Sequence, residues 1–270
     1  MSRLPTQDWA DMSWQDFAGG EPERWIAVLP LAAVEQHGPH LPLGVDAFLG
    51  EAYLARVKAM LPADLPATFL PLQSICQSEE HEAFPGTLSL SAQTVISAWN
   101  DIGDSVHRAG VRKLLMITSH GGNVHTMNVV ANHLRAKHGM LVVTCAWHRF
   151  GYPEGLFSDA EIKHGIHGGD IETSMMLAAR AQMVRKESLL DAKPATVALE
   201  RNFQWLNADK PAGFGWMTQD LHPSGAVGDA TKASAEKGNA ALDHAAKAFV
   251  ELLREMDRFD LKILRAGPLA

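Results

Sequence analysis

Between positions 35 and 46 the chain reads Glu35-Gln36-His37-Gly38-Pro39-His40-Leu41-Pro42-Leu43-Gly44-Val45-Asp46, two carboxylates and two imidazoles in one short string. Glu35 and His37 are two apart, so in extended backbone both side chains leave on the same side and can reach one ion. The proline and glycine residues stiffen the loop that returns Asp46 to them. A centre of two divalent ions about 3.5–4 Å apart needs a few nitrogens, a few carboxylates and a shared water made more acidic by the ions. Glu35, His37, Asp46, His120 and Glu172 can supply that set. Three carboxylates and one hydroxide would balance two divalent charges, so such a centre could be buried with little net charge. Asp46 is the best bridge, because a short carboxylate on a turn can offer one oxygen to each ion. Taken alone it fits a helix N-cap as well. His120 stands before Gly121-Gly122, where the missing side chains let an ion or substrate approach the backbone closely. His40 reads as supporting the loop rather than as a ligand. His107, His125, His133, His138 and His244 fall in helical runs and read as packing or solvated residues.

These residues need a frame that brings them together. Strand-like runs at 26–29, 68–72, 113–118 and 140–146 alternate with helix-like runs at 46–60, 92–109, 124–138, 171–181 and 232–258. Such alternation predicts α/β architecture: a single three-layer α/β/α domain over 1–270 with a mostly parallel sheet. Gly110 and Gly139 each follow a helical run, as helix stop signals do. Glu35 to His40 follow the first strand, His81 the second and His120 the third. Parallel strands present their carboxyl ends on one edge, so these loops are expected to converge there. The segment 191–228, with Phe203, Trp205, Phe214 and Trp216 among Pro, Gly and Asn, reads as a long irregular excursion near the active site or at a subunit interface.

Apolar residues make up 46% of the 270 and charged residues 20%, which suits one globular domain with a sizeable core. The net charge of −7 argues against a nucleic-acid partner. No apolar run approaches the roughly 18 residues of a membrane span. Residues 1–17 are polar and acidic and lack a hydrophobic signal core, so a cytoplasmic location is expected. Cys76 and Cys145 read as ordinary thiols. The chain has no Gly-x-Ser-x-Gly elbow, no phosphate loop, no Gly-x-Gly-x-x-Gly after the first strand and no Cys-x-x-Cys.

Four segments, in order, resemble the creatininase (creatinine amidohydrolase) family: the 35–46 string, Glu80-His81-Glu82-Ala83-Phe84-Pro85-Gly86-Thr87, Ser119-His120-Gly121-Gly122-Asn123, and His167-Gly168-Gly169-Asp170-Ile171-Glu172-Thr173-Ser174. The resemblance covers 26–190 and implies the creatininase fold. It implies that Glu35, His37, Asp46 and His120 hold metal, and that His167 is the catalytic histidine, shuttling a proton between water and the leaving nitrogen. His164 is the alternative shuttle. It also implies a substrate pocket lined by Glu80 and His81, with Ser78, Gly121 and Gly122 beside them. Two departures stand out. Creatinine-hydrolysing members carry a ligand Glu at the position of Gly122; here Glu172 is the expected replacement and joins His167 in the catalytic set. Lys163 stands where those members place an aromatic. Both departures argue against creatinine as the substrate.

The expected function is therefore metal-dependent hydrolysis of a non-peptide carbon–nitrogen bond (amide, cyclic amide or formamide) in a small-molecule substrate. Two ions per chain are expected, drawn from zinc, manganese and iron, which mixed His and carboxylate ligands do not separate. Family relatives also include a sugar-lactone-type ring hydrolase and a precursor-peptide peptidase. An isomerase could use the same ions, and a non-catalytic metal-binding assembly protein is the alternative of another class. The resemblance further implies a homo-oligomer, with a hexamer as the common form.

Overall fold

The computed structural model describes residues 4–268. A four-stranded sheet of order β2-β1-β3-β4 is built from β1 (Ile26–Leu31), β2 (Ala67–Phe69), β3 (Lys113–Thr118) and β4 (Leu141–Ala146), with every pairing parallel. The helices are α1 (Trp14–Gly19), α2 (Val45–Met60), α3 (Ala92–Arg108), α4 (Val124–His138), α5 (Asp159–His164), α6 (Asp170–Arg180), α7 (Ala195–Asn202), α8 (Thr218–Leu221) and α9 (Ala235–Arg258).

The two central strands are buried along their whole length, as strands covered on both faces must be. Their side chains alternate between two cores. Ile26 and Val28 of β1, with Leu115 and Ile117 of β3, pack under α2, α6 and α9. Ala27, Leu29 and Leu31, with Leu114 and Met116, pack under α3 and α4. The result is the expected α/β/α three-layer arrangement with a parallel sheet. Pro30 is tolerated inside β1 because its missing donor costs no ladder bond there. The β1–β2 register ends at Val28 and Phe69, and beyond it the Pro30 carbonyl accepts from the Gln73 amide at 3.0 Å.

Local chemistry explains where elements begin and end. Ser91 caps α3 by accepting from the Thr94 amide at 3.3 Å, and Gly139 ends α4 in the left-handed region, at φ 69°. The second strand is shorter than the expected 68–72, because Pro71 lies just beyond and the chain leaves the sheet edge. The last helix starts at Ala235 rather than 232. Ala230–Lys232 form a separate 3₁₀ turn, and Ser234 caps the helix by accepting from the Lys237 amide at 3.3 Å. The 191–228 segment is more ordered than its composition suggests. It holds α7, α8 and a small apolar cluster of Ala208, Leu221 and Val227 under Trp216. Helices α1 and α5, too short to show a periodic pattern, went unread in the sequence. Among the described residues no helix is long and apolar enough to cross a membrane.

Helix α6 lies against α9, and one residue sets how closely. A Cβ at Gly238 would stand 1.9 Å from the Ser174 carbonyl oxygen of α6. Gly238→Ala is therefore expected to destabilise the protein by about 1–3 kcal/mol through overpacking, read as a lowered thermal midpoint. An unchanged midpoint would contradict this contact. The spacing matters for chemistry, because α6 carries Glu172 in its first turn.

Candidate metal centre

The carboxyl ends of β1 and β3 deliver Glu35 and His120, each a few residues past its strand. The Glu35 amide donates to the Leu43 carbonyl at 2.9 Å and closes the 35–43 loop, which returns the chain to α2. Gly44, not Asp46, is the residue before α2, so Asp46 sits inside the first turn with its side chain free to face the loop. The Ser119 hydroxyl donates to the Asp46 carbonyl at 2.7 Å and ties the start of α2 to the end of β3. The fourth segment reaches in from the loop before α6.

The expected metal ligands lie together. Glu35, Asp46 and His120 form one group whose ligand atoms are all within 4.8 Å of each other, and His37, Asp46 and Glu172 form a second. Asp46 belongs to both. A third grouping joins Glu35, His37 and His167. His37 Nε2 is 3.9 Å from Glu35, 3.8 Å from Asp46 and 3.8 Å from Glu172. Its other nitrogen, Nδ1, donates to the Glu35 carbonyl at 3.1 Å, so the Nε2 lone pair faces the three acids. His120 Nδ1 stands 3.1 Å from Glu35 Oε2. His167 donates from Nε2 to the Gln36 carbonyl at 2.5 Å, which turns the Nδ1 lone pair toward Glu35 Oε1 at 3.7 Å. Its ring lies between those of His37, with centroids 4.0 Å apart and planes tilted by 31°, and His81, at 4.2 Å and 33°.

The electrostatics of this cluster suit a cation. Glu35, Asp46 and Glu172 crowd into one place, and among the described residues their ion-pair partners within 4 Å are histidines only. Burial, then the neighbouring Glu35 carboxylate, pushes the Asp46 carboxyl well above its usual range. Burial pushes Glu172 up as well. Burial opposes a charged His120, yet Glu35, Glu80 and Asp46 raise its pKa well above the ordinary value. Glu35 is held well below the usual range: burial works against its charge, but the His120 imidazolium beside it prevails. Burial drives His37 and His167 down to about 4 and His81 to about 2, so these imidazoles are neutral at pH 7. Glu35 Oε1, His37 Nε2 and Asp46 Oδ2 are all buried without a hydrogen-bond partner. Unsatisfied acceptors turned toward one another lose free energy unless a cation sits among them. The donor set, nitrogens plus carboxylates, fits zinc, manganese or iron.

Other residues read from the sequence take varied positions. Ser78, expected as a pocket hydroxyl, is instead fully buried and donates to Glu35 Oε2 at 2.7 Å, so it orients that carboxylate. His81 Nε2 lies 3.3 Å from Glu35 Oε1, and Glu80 Oε1 lies 3.3 Å from His120 Nε2. Gly121 is open, with nothing within 4 Å of a Cβ placed there, whereas Gly122 adjoins both Glu80 and His120. His40 holds the fourth loop through Gly168 O and Thr173 Oγ1, at 2.9 and 3.0 Å from its Nε2. His164 does not reach the cluster. Its nitrogens face Thr196 Oγ1 and Glu200 Oε2 at 3.0 Å each, so it pins α5 to α7 and is not placed to shuttle protons. Lys163 also pairs with Glu200. Gln36 went unnoticed in the sequence although it stands between two ligands. Its amide nitrogen donates to His81 Nδ1 at 2.7 Å and to the Gly225 carbonyl at 3.0 Å. Thr218 donates to the Glu80 carbonyl at 3.0 Å, and the backbones of His167 and Val227 pair. The 191–228 segment thus buttresses the centre.

Comparison with known proteins shows what the chain is similar to. The creatininase (creatinine amidohydrolase) family model matches residues 10–253. A creatinine amidohydrolase from Pseudomonas putida is 29% identical over 91% of this chain and 95% of its own. The mycofactocin precursor peptide peptidase of Mycobacterium ulcerans is 30% identical over 80% of each chain. A crystal structure of creatinine amidohydrolase superposes with a TM-score of 0.72 at 27% identity, covering 95% of this chain and all of that one. A manganese form of creatininase does so at 0.73 and 25%, over 94% of this chain and all of that one. A creatininase variant of zinc–zinc type reaches 0.71 and 25%, over 94% of this chain and 99% of that one.

Proposed function

The chain belongs to the creatininase family of hydrolases, and from that premise we propose that it is a metal-dependent amidohydrolase that cleaves a non-peptide carbon–nitrogen bond in a small amide, cyclic amide or formamide. The observation that carries this reading is Asp46, which is common to two candidate ligand groups and so could offer a carboxylate oxygen to each of two ions. Glu35 and His120 would hold one ion, and His37 and Glu172 the other. Bound there, the ions would polarise the substrate carbonyl and make the attacking water acidic. Zinc and manganese are the leading choices, since creatininases of both forms share the fold.

The chain's own groups supply the rest. His167 presents an unprotonated Nδ1 to the cluster while the Gln36 carbonyl holds its Nε2–H. Nδ1 can therefore take a proton from the attacking water and return it to the departing nitrogen. Packing between the His37 and His81 rings restrains the ring plane for that exchange. The Gly168 amide donates to Glu172 Oε2 at 2.6 Å and couples the loop of the proton carrier to a ligand carboxylate. The neutral His37 imidazole, set against carboxylates, would give an ion a ligand without adding positive charge.

Similarity to the M. ulcerans peptidase supports a second reading, cleavage of a precursor peptide. The exposed run of Phe203, Trp205, Leu206, Phe214 and Met217 supports subunit association along that face. The substrate class is tested by loading the protein with zinc or manganese and offering creatinine, small lactams, formamides and short peptides in ¹⁸O-labelled water. Amidohydrolysis requires one label in the new carboxylate of a non-peptide substrate. Turnover confined to peptides would favour the second reading. In a parallel run in deuterium oxide, deuterium exchange at a substrate carbon without hydrolysis would favour an isomerase and overturn both.

A further inference from the structure

Glu80 is the acidic side chain at this centre that neither shared ligand group uses. We propose that Glu80 is a positioning residue that holds His120 in the ring orientation and tautomer required of an ion ligand, and that position 122 is glycine to leave room for this contact. The proposal rests on the two-ion reading above.

His120 is buried and both ring nitrogens face carboxylates: Nδ1 lies 3.1 Å from Glu35 Oε2, and Nε2 lies 3.3 Å from Glu80 Oε1. A neutral imidazole carries one proton. When Nδ1 offers its lone pair to a cation beside Glu35 and Asp46, the proton sits on Nε2 and needs an acceptor. Nε2 is buried and makes no hydrogen bond, and Glu80 Oε1, 3.3 Å away, is the carboxylate within reach to receive that proton. A carboxylate on the far nitrogen orients the ring and makes the ligating nitrogen more basic. Glu80 is itself held. It rides on the 3₁₀ turn Glu79–His81, and its carbonyl accepts from Thr218 Oγ1, which also lies 2.8 Å from His81 Nδ1.

Gly122 closes the case geometrically. A Cβ there would stand 2.4 Å from Glu80 Oε1 and 2.4 Å from His120 Nε2, between the two groups. Gly121 next to it has open space, so the demand for a bare backbone falls on position 122 alone. A side chain at 122 would force the Glu80 carboxylate or the His120 ring out of its present place.

The test is the dissociation constant for zinc, measured by competition with a chromophoric chelator, on the full chain. Wild type, Glu80→Gln, Glu80→Ala, Gly122→Ala and the Glu80→Ala/Gly122→Ala pair are compared, with circular dichroism as the check on folding. Glu80→Ala is expected to weaken binding about 10–100-fold. Glu80→Gln, which keeps an oxygen for Nε2–H, recovers part of the loss. Gly122→Ala, whose methyl group also crowds the His120 ring, weakens binding at least as much as Glu80→Ala, and the double variant is no weaker than Gly122→Ala alone. Wild-type affinity in Glu80→Ala overturns the proposal, and a raised KM in its place would assign Glu80 to substrate binding. If Glu80→Ala does not fold, Gly122→Ala decides: affinity equal to wild type overturns the proposal. A wild-type protein that takes up no ion overturns the two-ion reading itself.

Discussion

His167→Ala is expected to lower kcat by about 10²–10⁴-fold, the usual worth of a positioned proton carrier, while leaving the ions in place. The separation follows from the geometry. His167 is fixed by the Gln36 carbonyl and by its neighbouring rings, and both ligand groups built around Asp46 remain complete without it. Burial first, then His37, depresses its pKa to about 4. A base loses function as pH falls through its pKa, so the acidic limb it controls lies near pH 4 rather than near the ordinary 6.5. Bound cations would move that limb lower still. With ion in excess, wild-type kcat is expected to hold level from pH 7 down to about 5. Loss of metal from His167→Ala, or activity within tenfold of wild type, would show that the residue is a ligand or a bystander.

Asp46→Asn carries the second large effect and separates function from stability. The amide keeps the shape but removes the charge common to both groups. Ion content is expected to fall, and kcat with it by about 10³-fold or more, equal to about 4 kcal/mol. The ion-free protein is expected to behave in the opposite way. The Asp46 carboxyl is raised well above its usual range, chiefly by burial and next by Glu35. Its ionised form therefore opposes folding once pH exceeds the unfolded value of about 3.9, and the opposition grows until pH passes the folded pKa. Ion-free Asp46→Asn should melt above ion-free wild type at pH 7, by about 2–4 °C for each kcal/mol relieved. The gain should vanish below about pH 4. A lower midpoint at pH 7 would mean that Asp46 supports the fold rather than the ions. Active sites often hold such groups at a cost to stability.

Much of this was legible in the residues. Alternating apolar runs and helical periods implied a parallel sheet with helices on both faces, because strands buried on both sides read as continuous apolar runs. Sites at the carboxyl ends of such strands follow from topology, and that rule brought Glu35 and His120 together. What escaped depends on contacts distant in sequence. Thr218 and Gly225 reach the centre only because the 191–228 segment folds back over it, and no local pattern encodes that. Ser78 looked like a pocket residue, because its distance from Glu35 along the chain hid a direct hydrogen bond. His164 stands three residues from His167, but helix α5 turns it toward Glu200, and spacing alone does not give direction. Gln36 carries no charge or metal-binding nitrogen to mark it in the sequence, and its place between Glu35 and His37 is the available signal.

The most direct test of the central claim is the number of transition-metal ions bound per chain of gently purified wild-type protein, read by plasma mass spectrometry beside an equilibrium zinc titration. A centre bridged by Asp46 predicts about two ions per chain. One ion per chain, or none after reconstitution, would contradict the bridged pair and leave the crowded carboxylates of Glu35, Asp46 and Glu172 without the charge that explains them.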